Sequence, residues 1–401
     1  MRAVYFTIVP LFDESNGGNI CCRNHVRRIA ADPSIELFVV AAGLAAWEAG
    51  TKRFLEECAV PGTFVALSTD NVRPEGHSLP DLARFALTMV LQSPWDVPAL
   101  NQQHVAQTVD NVVASFAASW LIVDYLPSAL YVKPDRSRVR TALVKLNREG
   151  DFYRDLLVTR NQYGRWRRAA SLARWRRKER TIESSFDKVI AIGPPDLPRH
   201  LPEARTAVAT PWLDRPRTWR WTGSRRVCFV GNVNHFPNRS AVDWIATRLA
   251  PEVERLDASV SFDIVGTDAS EALPSWQRPN VRFLGHGDST TVARLYAECD
   301  MAVCPVSNDY GCKFKAAEAL AFGTPLLASR ETLLGLPYLP QTPALDLADP
   351  VASARSLVEP LADPARLLAL QHDQAARHLD FVASQQGFWG RVLEARGEDA
   401  N

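Results

Sequence analysis

Residues 307–329, Ser-Asn-Asp-Tyr-Gly-Cys-Lys-Phe-Lys-Ala-Ala-Glu-Ala-Leu-Ala-Phe-Gly-Thr-Pro-Leu-Leu-Ala-Ser, hold the densest chemistry in the sequence. A glycine loop at Gly311 opens onto an apolar segment that predicts a helix over 314–322. Lys313 and Lys315 stand at its start, and Glu318 lies one turn further on. Backbone N–H groups and the positive dipole end of a helix suit a diphosphate. Lysines placed there add charge where negative charge builds on a leaving nucleotide. Glu318 cannot favour phosphate, but a carboxylate can accept hydrogen bonds from both hydroxyls of a ribose. On these residues alone a capped helix with solvated lysines is the competing reading.

Other titratable groups give weaker signals. His25, His104, His235 and His286 fall where they could face a cleft, yet no pair has a metal-ligand spacing such as His-x-x-x-His. No Asp-x-Asp occurs to hold a divalent cation against phosphates, so no metal is expected. The seven cysteines, at 21, 22, 58, 228, 299, 304 and 312, make no Cys-x-x-Cys pair and mostly sit in or beside apolar runs. They read as free thiols in a reducing compartment rather than a zinc site or a disulfide framework. Arg160, Arg165, Arg167, Arg168, Arg174, Arg176, Arg177, Lys178 and Arg180, with Trp166 and Trp175, form a basic segment. Such a segment can dock an anionic membrane surface or a pyrophosphate-linked lipid. The charges fall on all sides of the expected helix, which favours a solvated surface helix instead. The formal charge of +1, from 46 basic and 45 acidic residues, lacks the surplus of a nucleic-acid binder.

The elements that must position these groups follow from the apolar pattern. Ala3–Val9 reads as a strand covered on both faces. The loop at 13–18, with Gly17 and Gly18, and a basic amphipathic helix to Ala31 come next. Ile35–Ala41, Trp120–Tyr125, Thr141–Leu146 and Lys188–Ile192 predict further strands. The stretch 43–115 reads as mostly helical, including a helix over Ala99–Ala114, and 154–184 as a long polar helix that Gly164 interrupts. Residues 210–225, crowded with proline, tryptophan and arginine, have no periodicity and mark a boundary. Beyond it, strands at 226–230, 261–265, 281–284, 301–305 and 325–329 alternate with helices at 240–249, 290–298 and 314–322, and the tail from 350 to 396 is helical. This alternation implies an α/β fold of two Rossmann-like domains, with mainly parallel sheets and right-handed crossovers. The expected division is 1–212, 213–370 and a final helix, 371–401, packing back on the first domain. In parallel sheets ligands lie beyond the carboxyl ends of the strands, in the region that 307–313 occupies. The apolar N-terminus contains Pro10, shows no small-residue cleavage site and is too short to span a bilayer, so a cytoplasmic protein is expected. Any membrane contact would be peripheral, on the inner face and through 160–180.

The sequence resembles the retaining GT-B glycosyltransferases of the family-four group (glycosyl transferases group 1). Their motif G-x-(K)-x-K-x-x-E-A-x-A-x-G-x-P is matched by Gly311, Lys313, Lys315, Glu318, Ala319, Ala321, Gly323 and Pro325. Phe229-Val230-Gly231-Asn232-Val233-Asn234-His235-Phe236-Pro237-Asn238 is similar to a segment of a bacterial polysaccharide-associated branch. Phe262–Gly266 and Asn280–Gly285 complete the pattern in order. Gly17-Gly18 with Arg23 and Arg27, Asn147-Arg148-Glu149, and Glu183 with Asp187 are similar to N-terminal family segments.

The resemblance implies transfer of a sugar from a nucleotide diphosphate donor to a glycan, lipid-linked or other glycoconjugate acceptor, with retention. It implies no cofactor beyond that co-substrate, and no metal. Lys313, Lys315, the Gly231–Asn234 backbone and Gly18, beside Gly17, would surround the diphosphate. Glu318 would hold the ribose, Gly285 and His286 would border the base, and Tyr310 and Gly311 would shape the donor site. Two positions depart from the family pattern. Tyr310 stands where most members have an acidic residue, with Asp309 beside it, and Leu146 replaces a histidine. These departures keep a non-catalytic nucleotide-sugar-binding homologue in view, alongside an epimerase of the same fold and a lipid- or polymer-binding scaffold.

Overall fold

The computed structural model describes residues 1–14, 17–67, 102–133, 135–160, 165–267, 273–339 and 342–395. It divides into two compact units, Met1–Ile192 with Asp196–Ala209 and Gly387–Asn401, and Gly193–Pro195 with Thr210–Gln386.

The first unit is a parallel sheet of seven strands in the order β3-β2-β1-β4-β5-β6-β7. These are β1 (Arg2–Thr7), β2 (Glu36–Gly43), β3 (Gly62–Ala66), β4 (Trp120–Asp124), β5 (Arg140–Lys145), β6 (Lys188–Ala191) and β7 (Thr206–Val208). Strand β4 is buried along its whole length, as a run of Trp-Leu-Ile-Val-Asp must be when both faces are covered. Val4, Phe6, Val40, Leu121, Val123 and Leu143 form the core beneath the helices. Each fully buried side chain of this size contributes about 1.5–3 kcal/mol of transfer free energy.

The mostly helical reading of 43–115 missed β3. Only Phe64 and Val65 are large and apolar there, and Gly62 is required because an added Cβ would stand 2.6 Å from the Val39 carbonyl oxygen. The helix Gln102–Ser115 carries His104, while 68–101 and Gly164 lie outside the described residues. The long polar helix is found as Glu149–Arg160 and Arg165–Ser185. Trp175 on the latter is 3% exposed and packs against Tyr153, so it is not an interfacial aromatic.

The second unit is a six-stranded parallel sheet in the order β10-β9-β8-β11-β12-β13. Its strands are β8 (Arg226–Val230), β9 (Ser261–Val265), β10 (Val281–Phe283), β11 (Met301–Cys304), β12 (Leu326–Ser329) and β13 (Ala344–Leu345). Chain order runs outward from β8 to β10, then returns to β11 on the other side. The strand order therefore reverses between β8 and β11, the point beyond whose carboxyl ends open parallel sheets bind their ligands. The helix Phe314–Phe322 follows β11 directly and ends at Gly323, whose left-handed φ of +84° closes it. The tail is three helices, Pro350–Ala362, Pro364–Ser384 and Phe388–Glu394. The last belongs to the first unit, where Asp32 Oδ2 accepts from the Gly390 N–H at 2.8 Å.

Candidate functional site

Loops leaving β8, β9 and β10 are drawn together by glycines. Gly231 donates its N–H to the Val265 carbonyl at 2.8 Å, and Gly266 donates to the Gly285 carbonyl at 2.8 Å. Gly266 has φ +103°, and a Cβ there would stand 2.6 Å from the Gly231 carbonyl carbon. A side chain at 266 would force apart the two loops expected to carry phosphate and base.

Asparagines then stiffen the β8 loop. Asn232 Oδ1 accepts from the Asn234 N–H at 2.8 Å, and Asn238 Nδ2 donates to the Asn232 carbonyl at 2.9 Å. The other end of the Asn238 amide, Oδ1, accepts from Lys315 Nζ. Lys315 Nζ also lies 5.3 Å from the Phe229 ring centroid, so the β8 loop and the helix Phe314–Phe322 hold this ammonium between them. Burial pushes the Lys315 pKa down. A partly desolvated ammonium at a helix N-terminus gains most from an anion placed beside it.

Lys313 is turned differently. It is 8% exposed, and its Nζ donates to the Tyr310 carbonyl and, at 3.3 Å, to the Gly311 carbonyl. It also lies 5.6 Å from the centre of the Tyr310 ring. Its charge therefore closes the turn in which Gly311 adopts φ +68°. Tyr310 itself is 2% exposed, so at the position of the family's acidic residue stands a buried ring rather than a free carboxylate. His235 precedes the helix Phe236–Trp244. The residue is exposed, yet partial desolvation of its ring, then the charges of Lys315 and Lys313, push its pKa down to about 4. Its ring is neutral at pH 7.

Glu318, one turn beyond Lys315 on the same helix, forms an ion pair with Arg215, Nη2 to Oε1 3.6 Å. His286 is exposed beside Gly285, just before the Asp288 cap of the helix Ser289–Glu298. Gly231, Asn232, Asn234, Gly285, His286, Tyr310, Gly311, Lys313, Lys315 and Glu318 are thus all gathered in the second unit, on loops after its strands or on the helix those loops feed.

Gly17 and Gly18 belong to the first unit, where they open the helix Gly17–Ala30. Arg23 on that helix is 8% exposed and locally committed. Its Nη1 donates to the Leu11 carbonyl at 2.8 Å, its Nη2 pairs with Glu14 at 2.9 Å, and its guanidinium lies 4.5 Å from the Phe54 ring centroid. His25 is equally enclosed, with Nδ1 2.7 Å from Asp124 Oδ2, which also accepts from the Tyr5 hydroxyl. Leu146, where the family has histidine, is buried.

Sequence reasoning left three groups out of the site. Asn238 was visible in its motif but not as the partner of Lys315, and Gly266 was visible only as the end of a strand. Arg215 lay in the aperiodic stretch, where no local pattern connects it with Glu318.

The model of the family "Glycosyl transferases group 1" matches residues 224–362, which contain the whole second-unit cluster. The second unit carries a group 1 glycosyltransferase domain. No curated protein matches the sequence. Solved structures resemble the chain over its full length. Sucrose-phosphate synthase from Thermosynechococcus elongatus is 15% identical with a TM-score of 0.62, covering 98% of this chain and 99% of its own. HepE from Anabaena, in complex with UDP and glucose, is 11% identical with a TM-score of 0.61, covering 99% and 100%. A TarM variant from S. aureus, in complex with fondaparinux, alpha-GlcNAc-glycerol and UDP, is 9% identical with a TM-score of 0.64, covering 98% and 100%. At these identities the likeness concerns fold, and the fold is GT-B: two Rossmann-like domains with parallel sheets. Domain and fold together make the protein a glycosyltransferase.

Proposed function

We propose that this glycosyltransferase binds a nucleotide diphosphate sugar in its second unit and passes the sugar, with retention, to a hydroxyl of a glycan or glycoconjugate held by the first. One observation carries the reading. Lys315, anchored on Asn238 of the β8 loop, and Glu318 stand one turn apart on a helix whose N-terminus follows the Gly311 turn. Such a helix start accepts the diphosphate through its free N–H groups. Lys315 balances the charge that grows as the glycosidic bond breaks, and Lys313 holds the shape of the turn. Glu318 accepts from the ribose hydroxyls, while Gly285 and His286 border the base. With a fixed ammonium and a helix dipole at the leaving group, no metal is required in this reading. The resemblance to the retaining family-four group supports retention, with the leaving diphosphate helping to accept the acceptor proton on the same face. UDP is the first nucleotide to try, since HepE and a TarM variant were both solved with it.

Thermal melting against a panel of nucleoside diphosphates, without metal, tests the donor site in wild type and Glu318→Ala. A ligand at about 100 times its Kd adds about 2.7 kcal/mol of stability. One nucleotide should raise Tm selectively in wild type and not in the variant. The same nucleotide's sugars, offered with glycan acceptors, should then give a product whose anomeric proton coupling matches that of the donor. An unchanged Tm with every nucleotide would overturn the assignment, and donor conversion without an acceptor would favour an epimerase.

A further inference from the structure

We infer that the outward face of the helix Arg165–Ser185 is a binding surface for an extended anionic glycan. The sequence spreads charge around this helix, but packing sorts the charge by sign. Glu179 and Glu183, the acidic residues of its second half, point inward, are 8% and 3% exposed, and both pair with Lys145. Glu179 also accepts from the N–H groups of Glu149 and Gly150 at 3.0 and 2.9 Å. Both carboxylates are therefore engaged beneath the helix. Residues 173, 177, 180 and 184 recur at helical spacing and form one outward stripe. With Arg176 and Thr181 beside it, this stripe lines an open groove of about 690 Å³, in which every charged side chain is an arginine.

The three arginines differ in what holds them. Arg176 is half-buried and donates from Nη2 to Asp151 Oδ1 at 2.8 Å. Arg177 and Arg180 are exposed, and among the described residues neither guanidinium has a hydrogen bond or an ion pair. Like charges three residues apart on a helix repel, and an anion laid between them relieves this. The carboxyl end of the helix does not repel that anion, because Arg205 Nη2 donates to the Ser184 carbonyl at 3.1 Å and to the Phe186 carbonyl. Each guanidinium offers a planar fork of N–H groups that matches a carboxylate, sulfate or phosphate. From 176 to 184 the stripe is about 12 Å long, enough to meet more than one charged group of a chain. Its largest apolar side chain is that of Ala173, and Trp175 is buried against Tyr153, so nothing on it inserts among acyl chains. Nor does it carry a ring on which bases could stack. In a glycosyltransferase the fitting polyanion is a glycan. The face lies in the first unit, to which the proposed function gives the acceptor, but it does not rest on the reading of the donor site.

Fluorescence anisotropy of labelled dextran sulfate and labelled dextran, titrated with the full chain at low salt, tests the inference. The two polymers share a backbone and differ in charge. Wild type should bind dextran sulfate and not dextran. Arg177→Gln with Arg180→Gln should weaken that binding at least about tenfold, since one arginine beside an anionic surface is worth about a factor of five. Arg177→Lys with Arg180→Lys should keep most of it. Arg255→Gln with Arg366→Gln removes the same charge from exposed positions of the second unit and should bind as wild type does. Equal weakening in the two glutamine pairs would mean that only net charge is read, and overturns the inference. Unchanged binding after Arg177→Gln with Arg180→Gln overturns it too, as does a loss confined to phosphatidylglycerol vesicles or to single-stranded DNA. Calorimetric titration with UDP should give the same affinity in all these variants. Wild type that binds UDP but not dextran sulfate sinks this inference and leaves the donor reading standing. Binding of dextran sulfate through Arg177 and Arg180, without binding of any nucleotide, does the reverse.

Discussion

Replacing Glu149 by glutamine should change how stability depends on pH. Glu149 opens the helix Glu149–Arg160, and its N–H and that of Gly150 donate to Glu179 at 3.0 and 2.9 Å. Glu179 also pairs with Lys145 at 3.0 Å, and Lys145 Nζ donates to Glu183. Lys145 is therefore already engaged by two carboxylates. Glu149 is 1% exposed, and a hydrogen bond from Asn147 only partly offsets its burial. Burial first, and then the charge of Glu179, with Asp196 adding to it and Lys145 opposing it, push its pKa up from 4.5 to about 8. The native state thus keeps a proton that the unfolded chain releases above its ordinary pKa. Between those values the native state binds more protons, so stability must fall as pH rises, and it levels off above about 8. At about 1.36 kcal/mol per pH unit, the loss between pH 5 and 8 is about 3–4 kcal/mol. The Gln variant, with no proton to hold, should lack this slope. Melting curves from pH 5 to 8 should show it gaining on wild type by roughly 10 °C, taking the scale for a unit of this size. Parallel curves for the two proteins would refute the reasoning.

Other expectations concern the donor site. Gly266→Ala puts a Cβ against the Gly231 backbone at φ +103°, so it should cost about 3 kcal/mol in unfolding and abolish nucleotide-dependent melting shifts. Lys315→Met removes a buried ammonium whose pKa burial lowers, so urea denaturation should change little while UDP affinity in titration falls about tenfold or more. The depressed His235 pKa of about 4 arises partly from Lys315 and Lys313. A bound diphosphate offsets those charges and raises it, so UDP binding near pH 5 should take up protons. Titration in buffers of different ionisation enthalpy reads this directly, and His235→Asn should remove it.

The parallel-sheet architecture was legible in the sequence because its strands are buried on both faces and so read as unbroken apolar runs. Strands 226–230 and 261–265 and the helix 314–322 match the observed bounds. The strands that escaped, β3, β7 and β13, lie toward or at the sheet edges, where burial imposes little pattern on two to five residues. The site divides along the same line. Lys313, Lys315 and Glu318 announce themselves because a helix start and its first turns are local, set by spacing along one segment. What each charge does was decided by tertiary structure. Two lysines two residues apart look equivalent in sequence, yet Lys313 folds back on the carbonyls of its own turn while Lys315 reaches Asn238, which is 77 residues away. Glu318 faces Arg215 across roughly a hundred residues of chain, and Glu149 is buried beside Glu179 through packing of one helix on another. Local spacing selects residue types that can do the chemistry. The partners that set their charge and aim come from distant segments, which only the packed chain brings within reach.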